Sequence, residues 1–323
     1  MPVNLGLFEE VGEVLASRNQ FFITTASPDG DSIGCMLALG LALKQQGKEP
    51  TLFSPEPIPG SLLFLPEVSK IVYEIPARSF DALLVVDTGS SKILFHGNRD
   101  LWRKISDLVI NIDHHPDNDQ FGKLNLVTPE AASTGEIVYQ LLTCLKWEIN
   151  EPIATCLLTS MMADTGAFRY PNVTPATLRM AAELLGKGAK NGVIARQLYS
   201  TQSIPYVKLL GQLFNNLQVD LGGKLAWSVL SRKDFEMAGA PEDTADKMVE
   251  QLDMLRDVQA FALLRQMGDG KIKVSLRSRD RLPVNKIAAL FGGGGHLQAA
   301  GCQLSGDLKE AEKKIVTELR ALL

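Results

Sequence analysis

Short apolar runs alternate with longer amphipathic segments through the first half of the chain. Residues 21–25 (Phe-Phe-Ile-Thr-Thr), 82–86 (Ala-Leu-Leu-Val-Val) and 108–112 (Leu-Val-Ile-Asn-Ile) read as strands. Residues 32–46 read as a helix, with Ile33, Met36, Leu37, Leu39, Gly40 and Leu43 forming one apolar face. A run that is apolar at nearly every position suits a strand buried on both faces, and strands alternating with helices predict a parallel α/β sheet. From 133 to about 203 the period is mostly helical, with Thr174-Pro175 as N-cap and first-turn proline. Strand-like runs then return at 217–221, 225–230, 259–267 and 272–277, with helices expected at 245–255 and 284–291. Gly222-Gly223 and Gly268-Asp269-Gly270 are placed to turn hairpins. The pattern predicts an N-terminal parallel-sheet domain over 1–187 with helices on both faces, a helical linker over 188–203, and a smaller C-terminal α/β domain over 204–323 with a mixed sheet.

Composition narrows the classes. A length of 323 residues is enough for two domains, each with its own core. With 33 Lys plus Arg against 37 Asp plus Glu, no global basic field exists to hold long nucleic acid, so a nucleic-acid substrate must be short or locally bound. Cys35, Cys144, Cys156 and Cys302 lack the paired spacing of a zinc or redox motif and read as buried thiols in a reducing cytosol. The start, Met1-Pro2-Val3-Asn4 leading to Glu9-Glu10, lacks the basic region and apolar run of a signal peptide. No stretch approaches the roughly 20 apolar residues of a membrane span. A soluble cytoplasmic protein is expected.

The chemistry gathers where strands end. Asp113-His114-His115 follows 108–112, Asp87 follows 82–86, and Asp29 and Asp31 stand in Pro28-Asp29-Gly30-Asp31 after 21–25. Asp164 closes a further apolar segment, 153–163. In open parallel sheets ligands bind beyond the C-terminal strand ends, and two of the chain's four histidines stand there together. Each motif alone has a plainer reading. Pro-Asp-Gly-Asp makes a turn with Asp31 placed to cap the following helix, and Ser133-Thr134-Gly135-Glu136 makes a capping box, with backbone N–H donors for a ligand as the rival reading. Taken together, five converging carboxylates would repel one another unless cations neutralise them. A carboxylate and imidazole shell suits manganese or magnesium better than a closed structural zinc site, and paired metals suit phosphoester hydrolysis by an activated water.

With these motifs in order, the chain resembles the DHH phosphoesterases. Asp113-His114-His115, Pro28-Asp29-Gly30-Asp31, Asp87 in Val-Val-Asp-Thr-Gly and Asp164 in Ala-Asp-Thr-Gly carry the likeness. Gly292-Gly293-Gly294-Gly295-His296 and Ser275-Leu276-Arg277-Ser278 are similar to the nucleotide-binding domain associated with that family. Within the family the likeness is to short bacterial proteins of the nanoRNase and oligoribonuclease type, related to RecJ. It implies exonucleolytic hydrolysis of short RNA or DNA oligonucleotides and dinucleotides, linear or cyclic, and of 3'-phosphoadenosine 5'-phosphate. It further implies two manganese ions on Asp29, Asp31, Asp87, His114 and Asp164, with Asp87 bridging, while Asp113 and His115 orient the shell or contact the phosphate. Ser275, Arg277, Gly293, Gly294, Gly295 and His296 would bind substrate, and a homodimer is the family-based expectation. A clamp on a second domain limits the substrate to a few nucleotides.

One position departs from the family pattern. A histidine ligand is usual three residues before the proline of Pro-Asp-Gly-Asp, and here that residue is Thr25. A substitution accounts for this, as does a one-residue deletion between Thr25 and Ala26, which aligns the flanks better. The ion shared by Asp29 and Asp87 then loses a nitrogen ligand, whereas the one near Asp31, Asp87, His114 and Asp164 keeps its shell. Two other readings remain open: a nucleotide-binding sensor with impaired catalysis, and a polyphosphate or pyrophosphate hydrolase.

Overall fold

The doubly apolar strands do lie in the middle of a sheet. The computed structural model describes residues 5–246, 248–279 and 282–323 and divides into two units, Met1–Thr201 and Gln202–Leu323. The opening residues 1–4, read above against a signal peptide, lie outside the described residues. In order, the first unit contains α1 (Leu5–Ser17), β1 (Gln20–Thr24), α2 (Gly30–Gln45), β2 (Glu49–Phe53), β3 (Ala82–Val86), α3 (Arg99–Ile105), β4 (Val109–Asp113), β5 (Leu124–Val127), α4 (Thr134–Cys144), α5 (Glu151–Asp164), α6 (Pro175–Gly186) and α7 (Asn191–Tyr199). Its five strands pair in the order β2-β1-β3-β4-β5, all parallel. Strand order reverses between β1 and β3, so a crevice opens at their C-terminal ends, beside that of β4.

Alternation along the strands fills two cores. Phe21, Ile23, Leu84 and Val86 face the helical layer of α1, α2, α4 and α5, whereas Phe22, Leu83 and Val85 join Phe53, Phe80 and Trp102 on the other face. Helix α2 is apolar nearly all round, because it lies between the sheet and α5 and has no solvent face. Gly34 permits that approach: a Cβ there would stand 2.6 Å from the Cys156 carbonyl oxygen on α5. Helix α7, in the stretch expected as a linker, buries Ile194 in this same core.

The second unit contains α8 (Ile204–Asn215), β6 (Gln218–Asp220), β7 (Leu225–Leu230), α9 (Arg232–Ala238), β8 (Ala260–Gln266), β9 (Lys271–Ser278), α10 (Val284–Leu290), β10 (Gly294–His296), β11 (Ala299–Ser305) and α11 (Leu308–Leu322). Its six strands run β10-β11-β9-β8-β7-β6, antiparallel except for β7 with β8, which is the mixed sheet expected. The glycine turns at 222–223 and 268–270 join β6 to β7 and β8 to β9 as hairpins.

Three local expectations change. Among the described residues of 245–255 there is no α-helix, and 3-10 turns stand at Glu242–Ala245 and Met248–Met254, where tertiary anchoring overrides helix propensity. Cys144 is exposed at the last turn of α4, while Cys35, Cys156 and Cys302 are buried, and all four are free thiols. Helix α2 begins two residues early, so Asp29 caps it through the Ser32 N–H at 2.9 Å, and Asp31 lies inside the first turn. Among the described residues no helix is long and apolar enough to cross a membrane.

Candidate metal centre

The sheet delivers its acids from separate strand ends. Asp87 follows β3 and Asp113 ends β4; Asp31 comes from α2 after β1, and Asp164 is the last residue of α5. Asp87 adopts a positive φ of 51°, a sparsely populated conformation for a residue with a side chain, and one that turns the chain away from the strand direction at its end. His114 Nε2 lies 3.1 Å from Asp164 Oδ2 and 3.7 Å from both Asp31 Oδ2 and Asp87 Oδ1. His115 Nδ1 is 2.7 Å from Asp113 Oδ1 and 3.8 Å from Asp87 Oδ1. Among the described residues two groups of side chains could therefore hold a metal ion: Asp31, His114 and Asp164, and Asp87, His114 and His115.

Asp31 is held by protein on one side. Its Oδ1 accepts from Gly135 N at 3.2 Å, from the Cys35 thiol at 3.3 Å and from the Ser160 hydroxyl, and its Oδ2 accepts from Thr134 N at 2.8 Å. A carboxylate from α2 thus caps α4, and Ser133 makes no side-chain cap there. The capping-box reading of 133–136 fails because the donors of this helix start are satisfied from another helix. The Thr134 hydroxyl also donates to Asp87 Oδ1 at 3.2 Å.

Burial and crowding disturb the charges. Burial foremost, with Asp164 nearby, pushes Asp31 up to about 7. Burial and the carboxylates of Asp31, Asp29 and Asp164 push Asp87 well above the usual range. His114 rises to about 9: burial disfavours its charge, but the hydrogen bond to Asp164 and the field of Asp31 outweigh that. Asp113 stays low despite burial, because His115 and Asn118 donate to it, and His115 is raised in return by Asp113. Asp31 and Asp87, two crowded acids that resist ionising together, form a site whose deficit is positive charge, and a divalent cation matches it. The tautomer fits as well. His114 Nδ1 bonds the Ala131 carbonyl oxygen at 3.2 Å, which directs Nε2 at the acids, the arrangement metal-binding imidazoles use.

Asp29 stands apart from both groups, its Oδ1 engaged in the helix cap, although its charge still reaches Asp87. Thr25 is buried and its hydroxyl donates to the Ser27 carbonyl oxygen at 3.3 Å, so no ligand atom replaces the absent imidazole. Sequence reading missed Asn118, which joins Asp113 to Asn111, and missed Ser160 and Cys35 beneath Asp31. Only an Asn soon after the histidine pair, and a Ser four residues before Asp164, hinted at them.

In the second unit, β10, β11 and β9 bring the remaining predicted residues onto one sheet. Register sets His296 opposite Ala299 and Ala299 opposite Arg277; Gly294, Gly301 and Ser275 form the parallel row beside them. Directly paired residues share a face, so Arg277 and His296 flank a floor of small residues. Gly293 and Gly295 are required by that floor: a Cβ at Gly293 would lie 2.6 Å from Cys302 Cβ, and one at Gly295 would lie 2.5 Å from the Ala299 carbonyl oxygen.

Comparison with known proteins identifies both halves of the chain. Residues 20–163 match the DHH family N-terminal domain, and residues 222–323 match the DHHA1 domain. The bifunctional oligoribonuclease and PAP phosphatase NrnA of Thermus thermophilus is 37% identical over 316 residues, covering 96% of this chain and 92% of the relative. The protein of the same name from Bacillus subtilis is 31% identical, covering 86% of each. An exopolyphosphatase-related protein from Bacteroides fragilis, known by crystal structure, superposes with a TM-score of 0.84 at 26% identity, covering 99% of this chain and 98% of that one. By the two domain matches and the extent of these identities, the chain belongs to the DHH family.

Proposed function

We propose that the chain is a metal-dependent phosphoesterase that hydrolyses short oligoribonucleotides, dinucleotides and 3'-phosphoadenosine 5'-phosphate, with manganese as its ion. The observation that carries this reading is the convergence of Asp31, Asp87 and Asp164 on His114 Nε2, at 3.7, 3.7 and 3.1 Å. These four residues would hold the better-supported ion, and a divalent cation there would supply Lewis acidity toward a phosphoryl oxygen and lower the pKa of water. A second ion would rest on Asp29 and Asp87, and the lack of an imidazole at Thr25 makes it the weaker of the two. His115, tethered through Nδ1 to Asp113, keeps Nε2 for the phosphate or for a proton passed to the leaving oxygen. Ser275, Arg277 and His296, with backbone N–H groups of Gly293, Gly294 and Gly295, form an anion-binding wall for the substrate. The names borne by the relatives support nucleotide substrates; the Bacteroides neighbour's title is the reason to test polyphosphate beside them.

A manganese-supplemented panel of diadenylate, 3'-phosphoadenosine 5'-phosphate, a cyclic dinucleotide and inorganic tripolyphosphate, with Asp113→Ala as blank, tests the proposal. Release of adenosine monophosphate from the first two substrates, absent in the blank, is expected. Nucleotide binding without turnover would favour a sensor, and faster turnover of tripolyphosphate than of diadenylate would favour the polyphosphate reading.

A further inference from the structure

The face of the second sheet opposite α10 and α11 is half covered. Over β7 and β8 it lies under Phe235, Ala245, Met248, Val249 and Leu252, whereas on the β10 and β11 side small residues, Gly294, Ala299 and Gly301, lie beside His296. Three basic residues project from this face, Arg265 on β8 and Lys273 and Arg277 on β9, and Arg279 follows just beyond β9. All four meet acids from the covering segment: Asp246, which follows the first 3-10 turn, and Glu250 and Asp253 in the second.

The contacts are unequal. Asp246 Oδ1 lies 3.0 Å from Arg265 Nη1 and 2.8 Å from Lys273 Nζ, and Asp253 Oδ1 accepts from Arg279 Nε at 2.9 Å. Arg279 also donates to the carbonyl oxygens of Leu255 and Arg256, at 3.2 and 3.1 Å. The strap is thus fastened at both ends. In its middle, Glu250 Oε1 reaches Arg277 Nη2 through one contact of 3.5 Å, with half of the Glu250 side chain open to solvent. The other end of the guanidinium curls back, Nη1 donating to the Leu276 carbonyl oxygen at 3.1 Å. The loosest of these pairs falls on the one arginine that the proposed function gives to substrate.

We propose that Glu250 is an affinity-setting residue: its carboxylate competes with a substrate phosphate for the Arg277 guanidinium. This rests on the reading of Arg277 as a phosphate-binding residue. A phosphate oxygen can make the charge-assisted, bidentate contact that Glu250 makes only singly and at long range, so the carboxylate gives way while Asp246 and Asp253 keep the strap in place. A partly exposed ion pair is weak, so the competition reduces affinity by a small factor, roughly two- to five-fold.

The test is a double-mutant cycle on the full chain, with calorimetric Kd values for 3'-phosphoadenosine 5'-phosphate and with KM and kcat for diadenylate in manganese. Glu250→Gln should tighten Kd and lower KM roughly two- to five-fold, with the effect on KM rather than kcat. In an Arg277→Ala background the same substitution should do nothing. Unchanged or weaker binding by E250Q overturns the inference, as does tightening that persists without Arg277, which would mark a general charge effect. If Arg277→Ala alone binds as tightly as the parent, the assignment of Arg277 falls, and the competition falls with it.

Discussion

Manganese affinity should climb steeply with pH, because two of the side chains proposed to hold the ion would have to shed protons first. Asp31 is pushed up to about 7 and His114 to about 9. At pH 6 both are mainly protonated, and a metal ligand must be deprotonated, so binding expels both protons. At pH 8 Asp31 is mainly ionised, so of these two only the His114 proton remains to be displaced. Between these values relief at Asp31 contributes about ten-fold and relief at His114 about a hundred-fold, giving roughly a thousandfold rise in affinity. Isothermal titration of the metal-stripped chain, in buffers of different ionisation heat, measures both Kd and the protons released. From Asp31 and His114 about two protons should appear near pH 6 and about one near pH 8, with any proton that the raised Asp87 carboxyl gives up added to these. Asp31→Asn, which cannot carry the carboxyl proton, should flatten the slope by about one proton while weakening binding outright. An affinity that does not change with pH, or binding without proton release at pH 6, would refute the assignment of these two residues to the ion.

Other perturbations probe the supports of the site. Gly34→Ala drives a methyl against the Cys156 carbonyl oxygen at 2.6 Å, and forcing α2 from α5 should cost about 1–3 kcal/mol in thermal or urea denaturation while separating Asp31 from Asp164; a variant as stable as the parent contradicts the close helix contact. Asp113→Asn should remove stabilisation of the order of 1 kcal/mol. The sign follows from the two shifts. Asp113 is depressed, so its contribution is present above the ordinary carboxylate value and lost as pH falls through its folded pKa; His115 is raised, so its contribution is full below the ordinary imidazole value and lost as pH rises through its folded pKa. The melting-temperature gap between parent and D113N should therefore be widest between about pH 4 and pH 6.5, and a gap constant across pH would sink the pairing. Histidine placed at Thr25, or inserted between Thr25 and Ala26, should raise manganese stoichiometry or affinity and turnover; no change in either variant removes the explanation for a weak second ion.

Much of this site was legible because a buried parallel strand writes its own position. Residues 82–86 are apolar throughout, so β3 had to be central and Asp87 had to sit at a sheet mouth. Asp113, His114 and His115 followed by the same logic. What escaped were contacts between distant segments. Asp31 looked like a local cap, yet its carboxylate reaches Thr134 and Gly135 more than a hundred positions away, and nothing in Pro-Asp-Gly-Asp specifies that partner. Asn118 and Ser160 are ordinary loop and helix residues until the fold brings them to Asp113 and Asp31. The 3-10 turns at Glu242–Ala245 and Met248–Met254 were hidden for a similar reason: local periodicity favours a helix, whereas Asp246, Glu250 and Asp253 are tied to bases on the sheet below.

The most direct measurement is manganese-dependent hydrolysis of diadenylate by the parent chain and by His114→Ala, after chelation and with metal restored. His114 Nε2 is the atom on which Asp31, Asp87 and Asp164 converge. Turnover should vanish on chelation and return with manganese in the parent. In His114→Ala it should stay down by about a thousandfold or more at any practical metal concentration. Hydrolysis that survives chelation, or a His114→Ala variant that works as well as the parent, would contradict a phosphoesterase built on this cluster.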